Sequence, residues 1–261
     1  MTSLSRSLCA GLLCTLAACA TSPTGRTQFL AFSEQNAIAA SKQAYTEMIT
    51  PLANENRINT DAKLNARVKR IVDRLVPQAI AMRPDTAGWD WTMTVIDDPE
   101  TVNAWAMAGG KMALYTGLIK AIAPTDDELA QVLGHEIAHA LAKHSVEKMS
   151  VAAIADAGVK TVGIATDSAL AMQGSALVAA LAVTLPNSRS MESEADRIGI
   201  ELAARAGYDP AAAVTLWDKM AAVGGARTPQ FLSTHPNPAA RKTALEALVP
   251  QMRPLYEQAR H

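Results

Sequence analysis

The sequence predicts an α+β fold, mainly helical, with one small antiparallel sheet. Three observations carry this. The 261 residues are 49% hydrophobic but only 4% aromatic, so the apolar content is mostly Ala, Leu, Val and Ile, and an alanine-rich chain favours helices. Several stretches space their apolar residues by three and four, as a helix face does, and one stretch alternates with period two, as a half-buried strand does. The length suits one domain, or one domain with an appended helical region, and the apolar content is enough for a core. The formal charge is −1, with both signs spread along the chain. No basic stripe points to nucleic acid.

The three cysteines are Cys9, Cys14 and Cys19. A disulfide framework and a cysteine-based metal site are therefore excluded for the folded domain. Arg6 is a short positive start, and Leu8 to Ala18 is an apolar run, too short to span a bilayer and right for a secretory signal. It ends in Leu16-Ala17-Ala18-Cys19, which resembles a bacterial lipobox. Residues 1–18 are thus expected to be a lipoprotein signal peptide, with Cys19 acylated after cleavage. An ordinary signal peptide is the plainer alternative. Ala20 follows rather than Asp, which in such lipoproteins implies the outer membrane. A multi-acylated terminus anchors stably in a lipid bilayer. Pro23, Gly25 and several Thr and Ser make residues 19–32 read as a lipidated tether.

Ser33 opens a helix expected to reach about Met48. Thr60 or Asp61 opens a second, whose Leu64, Val68, Ile71, Val72, Leu75 and Val76 form one stripe. Pro77 and Pro84 are expected to end it. Trp89, Trp91, Met93 and Val95 alternate with polar residues, a strand pattern. Two more strands are expected near 103–107 and 111–116, joined by Ala108-Gly109-Gly110, which can supply the positive φ of a tight turn. Such a sheet leaves an edge strand. After Pro124, Thr125-Asp126-Asp127-Glu128 reads as a capping box, opening a helix expected to run to about Met149. Residues 151–185 are apolar but interrupted by Asp156, Lys160, Asp167 and Gln173. They read as a buried or membrane-surface helical hairpin rather than a span. A helix from Glu192 stops at Gly207. Asp209-Pro210 and Asn237-Pro238 open the last two, the final one expected to reach Leu248. The domain is placed at 33–250.

The decisive stretch is His135-Glu136-Ile137-Ala138-His139. Four residues along a helix turn about 400°, so both imidazoles leave one face. That suits a tetrahedral zinc ion with Zn–N near 2.0–2.1 Å. Glu136 can reach a water on the metal without ligating it, and act as general base. A catalytic zinc needs a third protein ligand. A third histidine shortly after the motif fails, because Ala142 and Ser145 stand where Gly and His would be needed. His144, about 140° around the helix from His139, reads as a residue of another helix face. Glu192 and Asp196, four apart in Glu192-Ser193-Glu194-Ala195-Asp196, share a face. Glu192 can ligate the metal while Asp196 accepts the N–H of a ligand histidine, and Glu194 points away.

These motifs resemble those of the HtpX-like and CAAX-prenyl-protease-like zinc metallopeptidases, most closely their periplasmic BepA/LoiP-like lipoprotein members. The matching stretches are 135–139, Ser188-Arg189 through Asp196, Asn103-Ala104-Trp105-Ala106 before Gly109-Gly110, Tyr115-Thr116-Gly117-Leu118, Gly207-Tyr208-Asp209-Pro210, and Thr234-His235-Pro236 with Arg241. The likeness covers about 33–248, without the transmembrane helices of the integral-membrane members. It implies a gluzincin-like fold with the sheet packed beside the zinc helix. It implies one Zn2+ on His135, His139 and Glu192, with Glu136 as base, and His235 and Arg241 near the site. His235 either stabilises an oxyanion or binds zinc as a reversible fourth ligand. The strand holding Asn103, Ala104 and Trp105 could pair with an extended polypeptide substrate. The function expected is a zinc endopeptidase of the bacterial envelope, facing the periplasm and acting on misfolded or misassembled envelope proteins. A chaperone or assembly factor working with outer-membrane assembly machinery is one rival, and a structural zinc protein closed by His235 is another. No Gly-x-Ser-x-Gly elbow supports acyl transfer.

Overall fold

In the computed structural model, residues 19–160, 178–181, 183–223, 229–236 and 238–260 are described. Side-chain capping opens four helices, three of them where the sequence places it and the fourth, at Ser188, ahead of the start expected at Glu192. The Ser33 hydroxyl accepts from Asn36 N–H and starts α1 (Glu34–Asn54). The Asp61 carboxylate accepts from two N–H groups and starts α2 (Ala62–Met82). Thr125 and Glu128 form a reciprocal capping box at α4 (Asp126–Leu141), and Ser188 caps α6 (Arg189–Arg205). Each such bond satisfies a donor that the helix itself leaves orphaned.

The stretch read as a tether is a docked hairpin in its described part. Strands β1 (Cys19–Thr21) and β2 (Thr27–Phe29) pair antiparallel, and Ser22 and Gln28 are buried. Pro77 does not end α2, which continues to Met82. The proline removes one backbone bond, while the buried stripe extends one turn further, to Ala79.

The sheet is mixed, not wholly antiparallel. Strands β3 (Thr92–Ile96), β4 (Ala104–Met107) and β5 (Lys111–Tyr115) stand in the order β3-β5-β4. β4 and β5 form the expected hairpin, with Gly109 and Gly110 at φ +82° and +79°. β3 instead runs parallel to β5. The segment between β3 and β4 is no hairpin: the Asp98 carboxylate accepts from Glu100 and Thr101 N–H and turns the chain away. β4 thereby takes the far side of β5. The sheet separates two apolar clusters. Ala104, Ala106, Met112 and Leu114 face α2, α4 and α6, while Trp105, Met107 and Ala113 face α1.

A second departure matters more. The helix expected to reach about Met149 stops at Leu141, and Lys143 adopts φ +58°. A new helix, α5 (His144–Lys160), starts there in another direction. Residues 161–177 of the expected apolar hairpin lie outside the described residues, and no described helix is long and apolar enough to cross a membrane. The short helix α3 (Thr116–Ile122) precedes α4. After α6 come α7 (Ala212–Ala222), α8 (Gln230–Thr234) and α9 (Pro238–Ala259). α9 runs well past Leu248, through Pro250 and Pro254.

Candidate active site

α4 is buried on every face from Glu128 to Leu141, as expected of a helix surrounded by other elements. It packs most heavily on α6. Gly134 and Gly199 make that crossing close. A Cβ on Gly134 would stand 2.9 Å from the Gly199 carbonyl oxygen, and one on Gly199 would stand 2.8 Å from His135 N. The approach brings Glu192 and Asp196 of α6 to His135 and His139 of α4.

Residue 235 arrives from α8. Phe231 N–H donates to Val102 O and His235 N–H to Phe231 O. The Phe231 ring stacks on the His235 ring at 4.4 Å. Arg241 enters from α9, its guanidinium 4.1 Å above the Trp217 ring.

Donor atoms of His135, His139, Glu192 and His235 all lie within 4.8 Å of one another, and all four residues are buried. His135 Nε2 is 3.0 Å from His139 Nε2 and 3.2 Å from His235 Nδ1. Glu192 oxygens stand 3.4 Å from His135 Nε2, 3.3 Å from His139 Nε2 and 3.0 Å from His235 Nδ1. Tetrahedral ligands at about 2.0–2.1 Å from an ion stand about 3.3 Å apart. The set therefore fits one divalent ion. Glu136 Oε1 is buried without a hydrogen-bond partner among the described residues, 3.4 Å from His235 Nε2. A buried carboxylate oxygen left without a donor needs a ligand or water to satisfy it.

Burial pushes the Glu136 carboxyl above its ordinary range. Burial would also raise Glu192, but His235, Arg241 and His135 hold it well below. Asp196 likewise resists its burial, because Arg241 and His135 keep it ionised. Burial lowers His139 well below its usual value. Burial also lowers Lys148, to about 8. That lysine lines a small cavity with Glu136, His139 and His235, and its Nζ donates to Leu185 O and Asn187 Oδ1.

Around the donors stand two further carboxylates. Asp196 Oδ1 is 3.1 Å from His135 Nδ1, and Arg241 Nε donates to Asp196 Oδ2 at 2.7 Å. His144, expected on another helix face, is instead buried against the site. Its Nδ1 is 2.8 Å from His139 Nδ1, and its Nε2 is 3.1 Å from Glu194 Oε2. The break at Lys143 puts it there. Glu194 does point away from the donor cluster, but toward His144. Sequence reasoning missed this pair because its geometry depends on a non-glycine residue with positive φ.

Asn103, Ala104 and Trp105 sit at and on the edge strand β4. Asn103 O accepts from Tyr115 N–H. By the two-residue period, the backbone groups of Ala104 and Ala106 then point away from β5. Ala106 lines the cavity beside Glu136 and His139. The Trp105 side chain faces the other way and packs on Tyr45, so it does not reach the donor cluster. Cys19 begins β1 and pairs with Phe29.

Buried histidines from one helix, a glutamate from another and a flanking sheet define a gluzincin-like metallopeptidase fold. The profile of Peptidase family M48 matches residues 62–249, and the chain belongs to that family. It is 32% identical to the Bos taurus mitochondrial metalloendopeptidase OMA1 over 241 residues, covering 87% of this chain and 45% of that protein. It is 34% identical to metalloprotease YcaL of Escherichia coli K12, covering 52% and 53%. It is also 34% identical to the beta-barrel assembly-enhancing protease of Escherichia coli O157:H7, covering 61% and 35%. The chain spans about half the length of these relatives or less.

Proposed function

We propose that this chain is a zinc-dependent endopeptidase of the bacterial envelope, with His135, His139 and Glu192 holding the ion and Glu136 as general base. The observation that carries the reading is the convergence of those three donors beside the unpartnered Glu136 oxygen. Bound there, zinc supplies Lewis acidity to a water and to a peptide carbonyl. Glu136 takes the proton of the attacking water and passes it to the leaving amine. Asp196 fixes the His135 ring through Nδ1, and Arg241 fixes Asp196. An extended polypeptide pairs with the outward backbone groups of Ala104 and Ala106, a mode that reads backbone more than side chains. The buried Asn103 carboxamide, both atoms unpartnered among the described residues, is read as a further contact for the same substrate.

His235 Nδ1, 3.2 Å from His135 Nε2 and 3.0 Å from Glu192 Oε1, would serve as a fourth donor, and that supports a latent arrangement that substrate or a partner opens. The preferred substrates are misfolded or misassembled envelope proteins. The name of the relative that enhances beta-barrel assembly supports this, together with work beside an outer-membrane assembly machinery. Residues 1–18 are read as the signal peptide and acylated Cys19 as the outer-membrane anchor, so Cys19→Ser should move the protein from the membrane to the soluble fraction. For the chemistry, the purified protein is incubated with casein with and without a chelator. Glu136→Gln should lower cleavage by about 10²–10⁴-fold while zinc content stays at that of the wild type. Full activity in that variant would refute the assignment.

A further inference from the structure

The N-terminal hairpin reaches the surroundings of the metal donors. Thr24 Oγ1 donates to Glu194 Oε1 at 2.6 Å, and Arg26 Nε donates to Glu194 Oε2 at 2.7 Å. The other edge of the Arg26 guanidinium forms two bonds to Glu147 of α5. Gln28 Nε2 donates to Ala142 O at 2.6 Å, at the break that turns His144 inward. Glu194 itself is 4% exposed, so its charge is settled by these partners rather than by water.

The direction of each bond follows from the chemistry. A carboxylate only accepts, so His144 carries its proton on Nε2 and donates it to Glu194 Oε2. A neutral His144 then presents a lone pair at Nδ1, 2.8 Å from His139 Nδ1. That contact requires the proton on His139 Nδ1, which leaves His139 Nε2 as a lone pair turned to the donor cluster. His135 receives its carboxylate directly, from Asp196. His139 receives one through another imidazole. We propose that the hairpin 19–29 is part of the metal centre: Thr24 and Arg26 fix Glu194, Glu194 fixes His144, and His144 holds His139 in its metal-binding tautomer. His144, Glu194 and Arg26 are positioning residues. The proposal rests on the reading of His139 as a ligand.

The test measures zinc affinity of the full chain by chelator competition, beside the unfolding midpoint of the metal-free form. The wild type should bind one zinc ion. Glu194→Gln and His144→Phe should each weaken binding by about 10–100-fold. His144→Gln should stay within a few-fold of wild type, because its carboxamide oxygen accepts from His139 and its nitrogen donates to Glu194. Arg26→Ala should weaken binding, whereas Glu147→Gln, which leaves both bonds to Glu194 in place, should not. Wild-type affinity in Glu194→Gln and His144→Phe overturns the proposal. So does a loss in His144→Gln equal to that in His144→Phe, or losses that only follow the metal-free midpoint. A wild type that binds no zinc overturns both the proposal and the reading of the metal site.

Discussion

His235 is the fourth member of the buried donor group, and its role decides how the site works. A structural zinc has four protein ligands and a catalytic one keeps a position open. With His235 Nδ1 at 3.0 Å from Glu192 and 3.2 Å from His135, the proposed latent arrangement gives the ion four protein donors. Removing that ring opens the fourth position without touching the other three donors. His235→Ala should therefore raise the rate of casein cleavage several-fold at unchanged zinc content. A loss of cleavage with zinc retained would instead assign His235 to oxyanion stabilisation. Residues 135, 136, 139, 192 and 196 were legible as candidates because helical spacing bears on side-chain direction, whereas 235 and 241 came only from the family resemblance. His144 was not legible. Nothing in Leu141-Ala142-Lys143-His144 punctuates a helix. The break is supported from far away in sequence, by Gln28 on Ala142 O and by Glu194 on His144.

At the level of elements, the α4–α6 crossing sets whether Glu192 reaches the histidines. The backbones approach so closely at Gly134 and Gly199 that either Cβ would meet main chain, which cannot swing aside. Gly199→Ala should cost about 1–3 kcal/mol, as overpacking does, and should weaken zinc binding because the donors separate. Lower denaturant stability with unchanged zinc affinity would show that the helices repack without parting. The start of α4 carries a pH signature. Burial would raise the Glu128 carboxyl, but bonds from Lys219, the Thr125 N–H and Thr215 hold it below its ordinary value. A carboxyl depressed in the folded state stabilises above the unfolded value, about 4.3, and loses that contribution as pH falls through the folded value. The gap in urea midpoint between wild type and Glu128→Gln should be wide at neutral pH and close in acid. A constant gap would mean that packing alone holds the residue. Caps such as Ser33, Asp61 and Thr125 were readable because their bonds are local. Strand order was not, since alternation marks which residues face a core but says nothing of which strand is the neighbour.

Across the whole molecule, the donor cluster joins parts that the chain keeps far apart. α4 and α6 supply three donors, the turn after α8 a fourth, and α9 the arginine that holds Asp196. Glu136, Glu192 and Asp196 are all buried, with Arg241 as the fixed cation among them. Arg241 pairs with both Glu192 and Asp196, so a bound ion would add a second positive centre that ties together the same helices. An ion that binds the folded chain and not the unfolded one stabilises it by about 4 kcal/mol when free metal is 1,000 times its dissociation constant. For a domain of this size each kcal/mol moves the unfolding midpoint by about 2–4 °C. Chelation should therefore lower the midpoint by about 8–16 °C, and added zinc should restore it. Glu192→Ala should remove most of that response, because it takes away the donor that brings α6 to the ion. A midpoint unmoved by chelator, in a protein shown to carry zinc, would place the ion at the surface rather than between α4 and α6.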